Sequence, residues 1–121
     1  MVKIKLPVQS EHDLQVSCVE WFYLQYPNEI LFAIPNGGKR NIVTAMKLKA
    51  EGVMPGVSDL FLMLSKGGFH GFCIEMKRKG GTLTDNQKDF FKKAINKGYL
   101  CTKVDNFEDF VIAINTYMKM P

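Results

Sequence analysis

Residues Ser58 to Leu64 and Gly71 to Lys77 are two strand-length apolar runs, separated only by a short segment that contains Gly67-Gly68. A glycine pair supplies the backbone angles that a tight turn needs, so the two runs are expected to pair as an antiparallel hairpin. Side chains on a strand alternate between faces. Phe72, Ile74 and Met76 therefore form one apolar row, while Glu75 and Lys77 share the other with Gly71 and Cys73. The start of the first strand lies beside the end of the second, which brings Asp59 near Glu75 and Lys77.

The remaining periodicities set this hairpin in a larger frame. Cys18, Phe22 and Tyr26 recur at helical spacing, widened by Leu14 and Val19, and predict a helix from Ser10 to Tyr26 that Pro27-Asn28 ends. Ile30 to Ile34 reads as a short strand stopped by Pro35-Asn36-Gly37-Gly38, and Asn41 to Glu51 as a second helix closed by Gly52. After Gly80-Gly81, Thr84 with Gln87 has capping-box spacing and opens a helix to Lys97. Tyr99 to Val104 is a further strand, and Asn106 to Met118 a last helix with Phe107, Phe110, Val111, Ile114 and Tyr117 on one face. The order is α-β-α-β-β-α-β-α. An α/β fold, a mixed sheet with helices packed over it, is the natural way to bury these faces.

Composition narrows the class. A chain of 121 residues, 46% hydrophobic and 23% charged, suits one globular domain over 1–121 and does not suit disorder. Met1 to Pro7 alternates lysine with apolar residues and lacks the apolar core of a secretion signal, and no run is long enough to span a membrane. Cys18, Cys73 and Cys101 are far apart within apolar runs, as expected of reduced core cysteines. The expected location is the cytoplasm. A net charge of +4 permits contact with an anionic polymer without establishing it.

Asp59, Glu75 and Lys77 carry the chemical signal. Two carboxylates at one end of an otherwise apolar strand pair are costly unless a counter-ion satisfies them. A divalent cation does so, since Mg²⁺ prefers oxygen ligands and completes its shell with water. A solvated strand end with a salt bridge is the plainer reading. Glu11 and Gln15 extend the core-facing stripe of the first helix to its N-terminal end, whereas Glu20 falls on the other side. Glu11 is thus the better candidate for a buried functional acid. A first-turn acid opposite the helix dipole, worth about 0.3–1 kcal/mol, fits this position equally well. Trp21, Phe22 and Tyr23 fit helix packing better than base stacking. His12 and His70 have no partner at metal-ligand spacing.

With these residues in place, the sequence resembles the PD-(D/E)XK nuclease superfamily, and more closely its VRR-NUC (virus-type replication-repair nuclease) branch. The matching features run from Ser10 to about Val104: Glu11 with Gln15, Pro35-Asn36-Gly37-Gly38, Gly56-Val57-Ser58-Asp59-Leu60, Glu75-Met76-Lys77 and Gln87. An aspartate followed by Glu-x-Lys is weak alone; the ordered set, with a hairpin between the acids and a helix after the lysine, is far more specific. The family often has proline before the aspartate, where this chain has Ser58. The resemblance implies a PD-(D/E)XK nuclease-like mixed β-sheet and a metal-dependent DNA endonuclease that hydrolyses phosphodiester bonds.

In that reading Glu11, Asp59 and Glu75, with the backbone carbonyl of Met76, hold one or two Mg²⁺ or Mn²⁺ ions, which activate water and stabilise transition-state charge. Lys77 orients or activates that water, or neutralises developing charge. Gln87 supports the nucleophile or a phosphate, or serves only the capping box. Lys39, Arg40, Arg78 and Lys79 are candidates for phosphate contacts, each equally explained by a solvated basic face. The expected partner is branched or Holliday-junction-like DNA, cut by a homodimer with one catalytic set per subunit. A non-catalytic nucleic-acid-binding module with a nuclease-like fold is the competing class. The acids count against it, because binding alone does not need them and they repel phosphate.

Overall fold

The computed structural model describes residues 9–35 and 41–121. Its elements run α1 (Glu11–Gln25), β1 (Leu31–Ala33), α2 (Ile42–Ala50), β2 (Leu60–Leu62), β3 (Phe72–Met76), α3 (Asp85–Asn96), β4 (Leu100–Val104) and α4 (Phe107–Met118). This is the order expected from the sequence. The turn expected at Asn36-Gly37-Gly38, with Lys39 and Arg40, lies outside the described residues.

The strands form a mixed sheet in the order β1-β2-β3-β4. β1 pairs antiparallel with β2 and β2 antiparallel with β3, while β4 joins β3 in parallel. The expected hairpin is present, with Leu60 opposite Ile74, Phe61 opposite Cys73 and Leu62 opposite Phe72. Its tip is closed by paired backbone bonds between Lys66 and Phe69 around Gly67 and Gly68, whose φ values of 58° and 84° belong to a region that glycine enters without strain. β1 and β2 are shorter than the apolar runs that predict them. Their ladder nevertheless extends one step beyond each strand, as the Ile34 N–H donates to Asp59 O (2.8 Å) and the Met63 N–H to Ile30 O (2.9 Å).

Every helix has a side-chain N-cap. Ser10, Asn41, Thr84 and Asn106 each accept a backbone N–H from the first turn of α1, α2, α3 and α4. Such caps satisfy donors that the helix itself cannot, each contributing about 1 kcal/mol.

The core lies on one side of the sheet. Leu60, Leu62, Phe72, Ile74 and Met76 pack there against Leu14, Cys18 and Phe22 of α1 and Phe110, Ile114 and Tyr117 of α4. Fully burying a side chain of this size stabilises by roughly 1.5–3 kcal/mol, so the alternation of β3 is well determined by this face alone. Polar links tie α1 to its neighbours: Tyr26 Oη donates to Asn115 Oδ1 of α4 at 2.6 Å, and the Tyr23 hydroxyl donates to Leu31 O of β1. Trp21 sits edge-on to Phe107 and Phe110, in the packing role expected of this aromatic run.

The opposite face carries Phe61, Cys73 and Glu75 and is approached by α3 through Phe90 and Ala94. Cys73 and Cys101 are register partners on β3 and β4; both are free thiols, as is Cys18. α2 has no buried residue, and its Ile42, Val43 and Met46 are exposed. No helix among the described residues is long and apolar enough to cross a membrane.

Candidate active site

The hairpin register, continued one step past Leu60 and Ile74, sets Asp59 opposite Glu75. Their side chains project from the same face of the sheet, opposite the main core. Asp59 is fixed from two directions: its backbone carbonyl accepts from Ile34, and its Oδ2 accepts the Met76 N–H at 2.8 Å. The aspartate thereby takes the place of a ladder partner for the last residue of β3.

Glu75 is 2% exposed and its Oε2 has no hydrogen-bond partner. A carboxylate in this position is poorly solvated. Burial is the main force pushing its pKa up, from 4.5 to about 8, and the adjacent Asp59 carboxyl pushes the same way through hydrogen bonding and repulsion. The positive charge of Lys77 opposes this but does not offset it. Two acids that repel one another, one of them buried with an orphaned oxygen, suit a shared cation better than a surface salt bridge.

Lys77 follows at the end of β3, half-buried, with its N–H donating to Val104 O at 2.9 Å. Asp59, Glu75 and Lys77 are thus brought to one end of one sheet face. Glu11 is the correction. The sequence reading makes it a candidate buried acid, with a first-turn role opposite the helix dipole fitting equally well, and it is exposed in the first turn of α1. Among the described residues no three histidine, cysteine, aspartate or glutamate side chains are grouped to hold a metal. The helical stripe explains the difference: Leu14, Cys18 and Phe22 are buried, and at 1.5 Å rise per residue Glu11 sits about 4.5 Å further out along the axis than Leu14. Shared direction around a helix does not guarantee reach into the interior.

Gln87 is engaged in the capping box. Its Oε1 accepts the Thr84 N–H at 2.8 Å while Thr84 Oγ1 accepts the Gln87 N–H at 3.2 Å. Arg78 and Lys79 are exposed just beyond β3, on the turn that leads to α3.

Two features were not visible in the sequence. Gly56 lies so close to the start of α3 that a Cβ there would stand 2.2 Å from Asn86 O and 2.9 Å from Gln87 N. This contact anchors the segment leading to Asp59 on the helix that follows Lys77. Lys103, the register partner of Glu75 on β4, shares its sheet face; only the parallel pairing of β3 and β4 identifies it.

A separate open cavity of about 400 Å³ lies between α3 and the sheet, lined by Ser58, Phe61, Cys73, Phe90 and Tyr99 among others. It is largely apolar and contains neither carboxylate of the acid pair.

Comparison with known proteins agrees with this fold. Residues 3–105 match the VRR-NUC domain family. A solved structure described as a "VRR_NUC domain protein" superposes with a TM-score of 0.78 at 22% identity, covering 95% of this chain and 93% of that one. No curated protein matches the sequence. At this identity the structural likeness speaks for the fold.

Proposed function

Because the chain belongs to the VRR-NUC domain family, we propose that it is a metal-dependent endodeoxyribonuclease, selective for branched, Holliday-junction-like DNA and acting as a homodimer. The observation that carries this reading is the buried Glu75, whose Oε2 is unpartnered while Asp59 stands opposite and Lys77 follows on the same face.

The acid pair fits a divalent cation on the chemistry of its donors. Asp59, Glu75 and the Met76 carbonyl would hold Mg²⁺ or Mn²⁺. Glu11 stands in the set on the family resemblance alone, as an exposed acid in the first turn of α1. The cation supplies Lewis-acid stabilisation of charge on the phosphate and activation of water. The protein's own part is positional. The Met76 N–H orients the Asp59 carboxylate, burial keeps bulk water from competing for Glu75, and Lys77 brings a positive charge toward the developing negative charge. Arg78 and Lys79, with Lys39 and Arg40, contact phosphates without reading sequence. In this proposal Gln87 contributes by holding the start of α3. Each subunit has one catalytic set, so cutting paired strands calls for two copies. A monomer in light scattering, with and without junction DNA, overturns the dimer.

Cleavage of labelled four-way junction, flap, duplex and single-stranded DNA, each with Mg²⁺, Mn²⁺ or EDTA, tests the activity. Metal-dependent cutting is expected, lost in Asp59→Ala and reduced to a residual rate in Lys77→Ala, with DNA binding retained in both. Glu11→Gln is expected to reduce cutting, with recovery at higher Mg²⁺. Binding without cutting in any metal identifies a non-catalytic module instead.

A further inference from the structure

The turn between β3 and α3 is held by two oppositely charged side chains, Lys103 of β4 and Asp105 just after it. Lys103 Nζ donates to Gly81 O at 2.8 Å, and Asp105 Oδ2 accepts the Gly80 N–H at 3.1 Å. The ammonium and the carboxylate thus grip neighbouring groups of the same turn, each at the end that matches its charge. Asp105 is itself oriented, since its Oδ1 accepts from Asn106 Nδ2 at 2.8 Å. The Gly81 N–H closes the turn on Arg78 O at 2.8 Å.

The same turn borders Lys77. A Cβ built on Gly81 would lie 3.1 Å from Lys77 Cβ and 3.5 Å from its Cδ. The Gly81 backbone therefore walls one side of the lysine stem, while the Lys77 N–H is tied to Val104 O on β4. A free lysine carries about 2 kcal/mol of rotamer entropy, and a wall along its stem removes part of that freedom before substrate arrives.

We propose that Lys103 and Asp105 are positioning residues, which clamp the Gly80-Gly81 turn against Lys77 and so set where its ammonium sits. The proposal rests on the nuclease reading for its effect on rate, but not for its effect on Lys77 itself. Neither clamp residue touches the reacting atoms, and loss of the clamp leaves Lys77 present but misplaced. A shift of about 1 Å in such a group costs up to roughly 100-fold in rate.

The test compares Lys103→Met, Lys103→Arg and Asp105→Ala in the full chain, each alone and combined with Lys77→Ala. Single-turnover cleavage of the preferred DNA with Mg²⁺ is expected to fall about 10- to 100-fold in Lys103→Met and Asp105→Ala. DNA affinity is unchanged, and Lys103→Arg restores much of the rate. In the Lys77→Ala background neither substitution lowers the rate further. A further loss in that background, or a loss confined to DNA affinity, overturns the clamp and makes Lys103 a direct phosphate contact. Lysine side-chain NMR gives a second readout that needs no activity. The Lys77 Cε signal is expected to shift or broaden in Lys103→Met and Asp105→Ala, with faster amide exchange at Gly80. Unchanged Lys77 signals overturn the proposal. Absence of wild-type cleavage on every DNA overturns only the nuclease reading, and the Lys77 signals then decide the clamp.

Discussion

Glu75 concentrates the electrostatic strain of the site in a single side chain. Its carboxyl titrates near 8 in the folded chain because burial and Asp59 both disfavour the charge, against 4.5 for an ordinary glutamate. A carboxyl whose folded pKa lies above its unfolded one stabilises the fold when protonated. That contribution is fully present below about pH 4.5 and is lost as pH rises through about 8. In metal-free protein, the midpoint of thermal unfolding should therefore fall between pH 5 and pH 8.5 by several degrees. Glu75→Gln should flatten this slope, and added Mg²⁺ should raise the wild-type midpoint at pH 8 far more than that of the variant. Calorimetry across this range checks both, and a wild-type slope no steeper than that of Glu75→Gln contradicts the assignment.

Among the elements, the contact between the Gly56 segment and α3 does the positioning. α3 begins with a full capping box, and its first turn meets a residue without a side chain. Gly56→Ala would press a methyl group into the Asn86 backbone, at a φ of +86° that already disfavours alanine. Backbone cannot swing aside as a flexible side chain does, so the cost should be about 2 kcal/mol or more, with Asp59 displaced and cutting reduced. Gly52→Ala is the matched control. Its φ is also positive, at +102°, but an added Cβ meets nothing within 4 Å. Only the conformational cost, about 1–3 kcal/mol, should appear there, with cleavage intact. Urea unfolding of the two variants, read beside their cleavage rates, separates steric from conformational effects.

For the molecule as a whole, the family match and the hydrophobic core do not end at the same residue. The match stops at residue 105, yet α4 beyond it supplies Phe110, Ile114 and Tyr117, all 0% exposed. These side chains complete the layer over β3 and β4 that α1 covers only in part. A fragment of residues 1–105 should therefore lack cooperative unfolding and bind hydrophobic dyes, although it contains every candidate catalytic residue. Within the full chain, Phe110→Ala should cost about 3–5 kcal/mol. A sharp unfolding transition in the fragment would show that α4 is dispensable.

The order of elements, the hairpin and the pairing of Asp59 with Glu75 were legible in the chain because each depends on local periodicity and one tight turn. The helix cap at Thr84 was legible for the same reason: a cap is a contact within one turn. Glu11 shows where local pattern runs out, since its angle around α1 is right but its depth depends on how far the helix lies over the sheet. Gln87 shows another limit, because one spacing serves a cap and a catalytic role alike. The parallel register that sets Lys103 beside Glu75, and the approach of Gly56 to Asn86, arise between segments far apart in sequence. Local propensity decided which elements form; the depth of each side chain and the charges that face one another were decided only when those elements packed.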